Sequence, residues 1–395
     1  MIENGKRFYE HDNTLTKEIA EELYALRSII GITGYEKYAK CPYSQFLEIA
    51  LGIREREVYQ ISSMDIGNMY HDCLEQFCLI MNEKNVSWKE LTDEQITEFV
   101  DSSAEIVNKK NESMQVFAED SYSKFRLARI IDATVNVVRM IRKQIEVSKF
   151  TPKYFEYKVN RGRVDRVDVY EEDGRVYFRV VDYKSGSNVF DIVKVYNKLQ
   201  LQLLAYINDT YKKISDVYRD KEIIPVGGYY YHVDENKYLT KAEACSDGKY
   251  DDDKAFNKRL VDNKLSGNTV NDENCFLITD ETLMDDSLDY RERASKVVNI
   301  SYTKSLEPTK TSEVLFDGEY KKLREHIEGS MDEMKNDMLS GKNERRPYCY
   351  GNSTGCDYCA YSSICNFNPA FNKDDKYNEI KMNKNDVLDI LRKED

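Results

Sequence analysis

The stretch GRVDRVDVYEEDGRVYFRVVDYKSG, residues 162–186, decides the fold class. It contains two runs of alternating or β-branched residues, which are typical of strands, and the Asp-Gly pair at 173–174 is a common turn between antiparallel strands. Asp165 falls on the first run and Asp182 on the second. Lys184 shares a strand face with Asp182, because side chains alternate with a period of two. The stretch therefore predicts a β-hairpin that brings two carboxylates and a lysine together.

This combination of side chains indicates a particular chemistry. One or two carboxylates, with water and substrate phosphate, are the ligands that Mg²⁺ prefers in metal-assisted phosphodiester hydrolysis. A lone Asp-x-Lys is weak evidence, because it occurs by chance in many surface turns. Here two apolar residues, Val180 and Val181, precede the motif, Gly186 follows it, and the partner strand begins Gly-x-x-Asp-Arg. The complete set favours a metal-dependent nuclease.

The flanking sequence predicts an α/β fold. A strand-like run at 153–159 precedes the hairpin, a helical period follows from about 196 to 212, and the run GGYYYHV at 227–233 is typical of a buried strand. Helices and strands in this order predict a small mixed sheet flanked by helices. Five segments are expected: a helical region (1–150), the α/β core (151–240), a polar and acidic surface insertion (241–310), a C-terminal helix with a cysteine-rich loop (311–367) and a charged peripheral tail (368–395).

Four cysteines are split between the two ends of the chain. Cys41 stands near the start and Cys356, Cys359 and Cys365 near the end, with the spacing C-x314-C-x2-C-x5-C. This arrangement suits a soft-metal or iron-sulfur site that joins the two ends. Zinc stays open on the residues alone, since CxxC with one more cysteine binds zinc and Cys349 offers a fifth thiol nearby.

Composition limits the classes of function. The chain has 395 residues with a net charge of −13, which argues against a protein that coats nucleic acid, because non-specific phosphate binding needs many cationic contacts. Nine cysteines without a signal-peptide pattern, and without an apolar run of about 18 residues, indicate a reducing cytoplasm and no membrane partner. We therefore expect a cytoplasmic protein whose thiols are available as ligands.

The order of the motifs resembles that of the PD-(D/E)XK nucleases of the RecB type. In these nucleases a Q-x-x-x-Y helix follows the catalytic hairpin, as the run LQLLAY at 201–206 does here. Further motifs make the chain similar to the iron-sulfur nuclease domains of the AddB family, from about Tyr35 to Phe367. These are CPYSQF at Cys41, GNMYH ending at His71, and CxxCxYxxxCxF beginning at Cys356.

The resemblance implies roles for single residues. It implies a restriction-endonuclease-like core in which Mg²⁺, or Mn²⁺ in its place, is bound by His71, Asp165, Asp182 and the carbonyl of Tyr183. Lys184 would be the catalytic lysine, and Gln202 and Tyr206 would face the DNA or brace the site. A [4Fe-4S] cluster would be held by Cys41, Cys356, Cys359 and Cys365. Without the resemblance, His71 would be interpreted as a packed helix residue, and Asp168 is expected to be an outward charge.

The implied function is that of a Mg²⁺-dependent exonuclease domain. It would hydrolyse single-stranded DNA ends during double-strand break repair and recombination, with an AddA-like helicase-nuclease subunit as partner. No phosphate-loop motif for ATP is present, so ATP-driven unwinding is not expected of this chain. Residues 1–36 resemble the stretch that leads into the nuclease domain in the family, so we expect a piece of a longer protein that begins just upstream of Cys41, with a free-standing relative as the alternative.

Two alternative functions stay open. The first is a CRISPR-associated iron-sulfur exonuclease, although those relatives are typically shorter and lack the long helices at 92–148 and the insertion at 241–287. The second is a catalytically silent DNA-binding module, against which the intact Asp165, Asp182 and Lys184 count.

Overall fold

The computed structural model describes residues 15–26, 30–56, 63–110, 120–184, 186, 189–233, 245–246, 249–250, 263–371 and 375–393. No helix among these residues is both long enough and apolar enough to cross a bilayer.

A mixed sheet of six strands lies at the centre of the fold. Its order is β1-β2-β3-β4-β7-β8. The strands are β1 (Thr151–Val159), β2 (Gly162–Glu172), β3 (Arg175–Lys184), β4 (Glu222–His232), β5 (Cys245–Ser246), β6 (Lys249–Tyr250), β7 (Ser266–Val270), β8 (Val314–Leu315), β9 (Tyr348–Tyr350), β10 (Ser353–Thr354) and β11 (Asn378–Glu379). β1, β2 and β3 are antiparallel, β4 runs parallel to β3, and β7 is antiparallel to β4. The predicted α/β class with a small mixed sheet is confirmed.

Helices cover both faces of this sheet. They are α1 (Lys17–Ala25), α2 (Ile32–Lys40), α3 (Pro42–Gln45), α4 (Ser63–Glu83), α5 (Asp93–Lys110), α6 (Ser121–Glu146), α7 (Ile192–Tyr196), α8 (Gln202–Val217), α9 (Glu273–Thr279), α10 (Asp317–Leu339), α11 (Ser362–Cys365) and α12 (Lys384–Arg392). α8 packs on β3 and β4 and is covered by α10, while α4, α5 and α6 pack together.

Alternation along β3 and β4 divides the apolar side chains between two cores. Val180 and Tyr230 belong to the core under α8 and α10, whereas Val181, Tyr183 and Tyr231 belong to the core of α4–α6. Because side chains alternate along a strand, Asp182 and Lys184 share the α8 face with Val180.

Three details of the sequence interpretation are wrong. The helix expected from about 196 to 212 is two helices, α7 and α8, because the chain turns between them and Lys198 adopts φ +68°. Ser266–Val270, expected in a surface insertion, forms β7 inside the sheet, and part of that insertion lies outside the described residues. The C-terminal tail is not merely peripheral, because Val387 and Leu391 of α12 are buried against the core.

Asp168 is buried rather than outward. Its side chain is 0% exposed and lies between two buried arginines, with the Nε of Arg166 at 2.8 Å and the Nε of Arg179 at 2.7 Å. A buried carboxylate is tolerated when charged donors compensate its desolvation. Asp168, Arg166 and Arg179 therefore form a buried charged triad on strands β2 and β3.

Candidate active site

Three acidic residues, Glu156, Asp165 and Asp182, form a row across the first three strands. The paired residues on either side of Glu156 in β1 and Asp165 in β2 place these two acids opposite each other. The register of β2 and β3 continues this acidic row toward Asp182. Residues opposite each other in neighbouring strands project from the same face of a sheet. The hairpin therefore gathers the carboxylates as the sequence predicts, with Glu156 in addition.

His71 of α4 reaches the acidic row from outside the sheet. Its Nδ1 lies 3.2 Å from Asp165 Oδ1 and 3.4 Å from Glu156 Oε1. Burial alone would lower the pKa of His71, but the hydrogen bonds to Asp165 and Glu156 outweigh burial and raise it to about 10. Among the described residues, these three form the one set of ligand-type side chains whose ligand atoms all lie within 4.8 Å of one another.

Asp182 is the most deeply buried acid of the site. Its side chain is 1% exposed, and its Oδ1 accepts a hydrogen bond of 2.9 Å from Gln202 Nε2. Oδ2 forms an ion pair of 2.6 Å with Lys184 Nζ. Burial and the nearby Asp165 raise the pKa of Asp182 to about 7, against the opposing charge of Lys184. Lys184 therefore does not fully offset the cost of burying this carboxylate beside a second acid.

Gln202 and Tyr206 brace the site. Gln202 Oε1 accepts a hydrogen bond of 2.7 Å from Lys184 Nζ, so its amide bridges the lysine and Asp182. Tyr206 Oη lies 3.4 Å from Gln202 Nε2, one turn further along α8. A side chain at Gly162 would place its Cβ 3.1 Å from Tyr206 Oη, so the glycine makes room for the tyrosine.

Tyr183 takes part through its backbone. Its N–H donates a hydrogen bond of 2.6 Å to Asp165 Oδ2, which ties β3 to the acid of β2. Its side chain points into the opposite core, where Arg166 Nη1 donates to its hydroxyl at 3.3 Å. The role of the Tyr183 carbonyl as a metal ligand stays a prediction.

Sequence reasoning missed Glu156. Residue spacing within the β1–β2 hairpin could have identified it, because a turn at Asn160 and Arg161 places Glu156 opposite Asp165. Glu156 also adopts φ +46°, a left-handed conformation that is rare for a residue other than glycine and is often found at functional sites.

Glu156→Gln is expected to weaken divalent metal binding by about tenfold or more. The amide keeps the size of the side chain but removes the negative charge that Glu156 contributes to the candidate metal site beside His71 and Asp165. Calorimetric titration of Mn²⁺ into DNA-free protein measures the effect. Glu171→Gln is the control, because Glu171 of β2 pairs with two surface lysines, Lys153 and Lys221. Equal Mn²⁺ affinity in wild type and Glu156→Gln would exclude Glu156 from the metal site.

Sequence reasoning also missed Glu36 of α2. Its Oε1 accepts hydrogen bonds from the backbone N–H groups of Leu201 (2.7 Å) and Gln202 (3.2 Å), at the start of α8. A carboxylate there compensates the unpaired N–H groups and positive end of the helix. Burial raises the pKa of Glu36 although these N–H groups and nearby lysines oppose it. Glu36 therefore positions the residue that bridges Asp182 and Lys184.

Glu36→Gln is expected to lower the turnover rate by about tenfold while DNA affinity stays unchanged, because an amide holds the two N–H groups less firmly and Gln202 loses its fixed position. Single-turnover cleavage and DNA anisotropy separate the two quantities. Glu333→Gln is the control, since Glu333 forms an exposed ion pair with Lys198 just before α8. An unchanged turnover rate would leave Glu36 with a purely structural role.

The four split cysteines meet in one place. Cys41, Cys356, Cys359 and Cys365 all line a cavity of about 90 Å³. Burial raises the pKa of the Cys41 thiol, while backbone N–H groups of Ser44, Tyr43 and Arg346 donate to the sulfur and oppose that rise. The spacing therefore corresponds to a common site, and Cys349 does not line it.

Zinc and iron-sulfur clusters both take cysteine thiolates as ligands, so the common cavity is a candidate site for either. Of the other thiols, Cys73, Cys78 and Cys275 are buried in the cores.

Comparison with known proteins agrees with this geometry. A family model described as the PD-(D/E)XK nuclease superfamily matches residues 30–366. A protein of Lachnoclostridium phytofermentans, named as a subunit of an ATP-dependent helicase/deoxyribonuclease, is 30% identical over 407 residues, covering 99% of this chain. Proteins of the same name from Alkaliphilus oremlandii and Clostridioides difficile are 30% and 26% identical, covering 97% and 99% of the chain.

The chain spans 34% of the length of each of these three relatives. The family match covers most of the chain, from before Cys41 to the last of the clustered cysteines, and includes every acid of the acidic row. The chain therefore belongs to the PD-(D/E)XK nuclease superfamily.

Proposed function

We propose that the chain is a Mg²⁺-dependent exonuclease module that hydrolyses phosphodiesters of single-stranded DNA within a helicase-nuclease of the AddAB type. The observation that carries the proposal is the buried Asp182. Its side chain is 1% exposed and forms an ion pair of 2.6 Å with Lys184, on the same sheet face as Asp165. Adjacent buried carboxylates cost stability unless positive charge compensates them, so their convergence is best explained by a metal-dependent function.

His71, Glu156, Asp165 and Asp182 fit a divalent ion. In the metal-free protein a protonated His71 lies between two carboxylates, so a positive charge already occupies the place that suits a metal. When bound, Mg²⁺ supplies charge stabilisation and an activated water for hydrolysis. Lys184 holds its ammonium beside Asp182, where it orients the attacking water or neutralises phosphate charge. Gln202 keeps Lys184 in that place.

The cysteine site fits a [4Fe-4S] cluster with a structural task. Thiolates hold such clusters, and N–H groups that donate to the sulfurs stabilise their charge. Cys41 ends α2, whereas the other three ligands lie beyond α10, so the cluster would connect the first helices to the last segment. No residue of the acidic row lines the cysteine cavity, which supports a role in folding rather than in hydrolysis.

Partner and pathway follow from the relatives. The matched proteins are named as one subunit of an ATP-dependent helicase/deoxyribonuclease. We therefore infer an AddA-like partner subunit and a role in double-strand break repair. These matches over nearly the whole chain favour this interpretation over a CRISPR-associated exonuclease, and the intact Asp165, Asp182 and Lys184 disfavour a silent module.

End-labelled single-stranded DNA tests the proposal. Wild-type protein with Mg²⁺ or Mn²⁺ is expected to shorten the strand from an end, to be inactive in EDTA, and to leave blunt duplex largely intact. A circular single strand of the same length measures any internal cutting. Absence of cleavage with either metal would overturn the proposed activity.

A further inference from the structure

The row of the active site continues across the sheet. Asp182 pairs with Tyr230 of β4, and Tyr230 pairs with Ser266 of β7. Lys184 Nζ lies 5.8 Å from the centre of the Tyr230 ring. Asn268 is two residues further along β7 on the same face, roughly 12 Å from Asp182 by strand spacing and rise. Asn268 therefore lies a short distance from the active site on the same face of the sheet, although Tyr230 and Ser266 between them are buried.

A pocket of about 650 Å³ opens at Asn268. The segment after the catalytic strand, β8 and the start of α12 form its other walls. Two aromatic side chains, Phe190 and Tyr350, line it together with the amide of Asn268. Aromatic faces in a groove are the usual stacking surfaces for the bases of a single strand.

Two buried polar groups at this end of the row lack partners. Asn268 Oδ1 and Ser266 Oγ are enclosed and have no hydrogen-bond partner among the described residues. The two residues are only 6% and 7% exposed. Buried polar groups are nearly always hydrogen-bonded, so exceptions call for a physical reason. Asn268 lines the pocket, so a ligand with hydrogen-bonding edges there would supply a partner for its Oδ1.

The rim of the pocket is cationic although the chain as a whole is acidic. Lys194, Lys310 and Lys384 line it, and none of them forms an ion pair within the part of the chain that the structure describes. Two acids, Asp191 and Glu313, also line the pocket, so three lysines face two carboxylates. Asp191 accepts the N–H of Val193 at 2.9 Å, and Glu313 accepts that of Gly267 at 2.7 Å. Ammonium groups around an aromatic pocket suit a phosphate attached to a base.

We propose that this pocket is a subsite for one nucleotide of the single strand, a short distance from the phosphodiester at Asp182. The base lies against Phe190 and Tyr350 with its polar edge toward Asn268, and the adjacent phosphates face Lys310 and Lys384. The inference rests on the proposed function for the presence of a strand. The binding itself needs no divalent metal.

Fluorescent oligonucleotides test the proposal with the full chain in EDTA. Each is a short single strand with one 2-aminopurine, and the position of this base differs from one oligonucleotide to the next. Stacking is expected to quench the fluorescence at one or two positions, and Phe190→Leu to restore it. Lys310→Gln/Lys384→Gln is expected to raise Kd about fivefold or more. It should also reduce the slope of log K against log salt by about 1.4, the value for two phosphate contacts on a single strand.

Lys124→Gln/Lys335→Gln is the matched control, because it removes the same charge from exposed helical lysines outside the pocket. An equal loss of affinity in both double variants would overturn the subsite, as would position-independent quenching. Quenching of free 2-aminopurine deoxyribonucleotide without oligonucleotide binding would also overturn it, in favour of a free-nucleotide site. Because no metal is present, absence of nuclease activity does not affect any of these outcomes.

Discussion

Asp182→Asn is expected to lower the rate of Mg²⁺-dependent single-strand cleavage by at least about 10³-fold. The substitution keeps the size of the side chain and an oxygen for Gln202. It replaces the carboxylate oxygen that lies 2.6 Å from Lys184, however, with an amide that donates rather than accepts. Both the metal and Lys184 then lack the negative charge of the Asp182 carboxylate. Single-turnover cleavage of end-labelled single-stranded DNA measures the loss.

The same substitution is expected to leave the metal-free fold at least as stable as wild type at pH 8. Burial and Asp165 raise the pKa of Asp182 to about 7, above its value in the unfolded chain. The folded state therefore binds the proton more tightly. The contribution of this group to the free energy of unfolding is lost as the pH rises from about 4 to 7. Asparagine does not ionise, so its burial carries no such pH-dependent cost. Thermal unfolding measured against pH therefore shows whether a loss of activity comes from the missing carboxylate or from unfolding.

Two neighbouring substitutions serve as controls. Asp173→Asn lies in the β2–β3 turn at φ +47°, a conformation that asparagine tolerates, and should leave both activity and stability unchanged. Asp168→Asn should unfold or strongly destabilise the protein, because it leaves two buried arginines without their carboxylate. Residual activity of Asp182→Asn within tenfold of wild type would contradict its place in the site.

Local patterns were sufficient to predict the hairpin. Alternation and the Asp-Gly turn predict strands at 163–170 and 175–183, within two residues of the bounds of β2 and β3. The proximity of Asp165, Asp182 and Lys184 follows from this hairpin. These features depend on residues that are close in sequence. Gln202, which bridges Lys184 and Asp182, lies only 18 to 20 residues after them, in the helix α8.

Partners that are distant in sequence could not be derived from local patterns. Glu36 reaches Leu201 across 165 residues, and nothing in the helical spacing of α2 distinguishes this glutamate from an exposed one. The prediction for Asp168 is wrong for a related reason. Alternation assigns this residue to a face of β2 but does not tell that α4–α6 cover that face, and only burial by the helices makes the pairing with Arg179 necessary.

Strand β7 shows a different limit of sequence reasoning. Its sequence, SGNTV, has low apolar content and follows a polar segment, so it does not resemble a buried strand. A Cβ at Gly267 would lie 2.0 Å from the Gly228 carbonyl oxygen, so two glycines allow the backbones of β4 and β7 to approach. The strand is defined by this close approach and not by hydrophobic periodicity.

Cys359→Ser is expected to remove the proposed iron-sulfur cluster and to lower the melting temperature by on the order of 10 °C. The cysteines connect Cys41 to a triplet beginning at Cys356, which closes a loop of about 320 residues. By loop-closure entropy, such a cross-link restricts the unfolded chain by on the order of 5 kcal/mol. Iron and sulfide analysis after anaerobic purification, together with thermal unfolding, measures both effects.

The Cys359→Ser protein should still fold, because direct contacts also join the two ends of the chain. Tyr38 donates to the carbonyl of Lys342 at 2.9 Å, and Tyr361 donates to that of Ile53 at 2.9 Å. The acidic row lies elsewhere, so single-strand cleavage below the lowered melting temperature is expected to persist. Loss of the cluster with full loss of cleavage in a folded protein would instead assign the cluster a part in hydrolysis.

Cys349→Ser is the matched control for this cluster. Cys349 lies in β9, seven positions before Cys356, but does not line the cavity of the four cysteines. Its substitution should leave iron, sulfide and melting temperature unchanged. Zinc without sulfide in the wild-type protein would refute the cluster, because an iron-sulfur cluster contains inorganic sulfide and a zinc site does not.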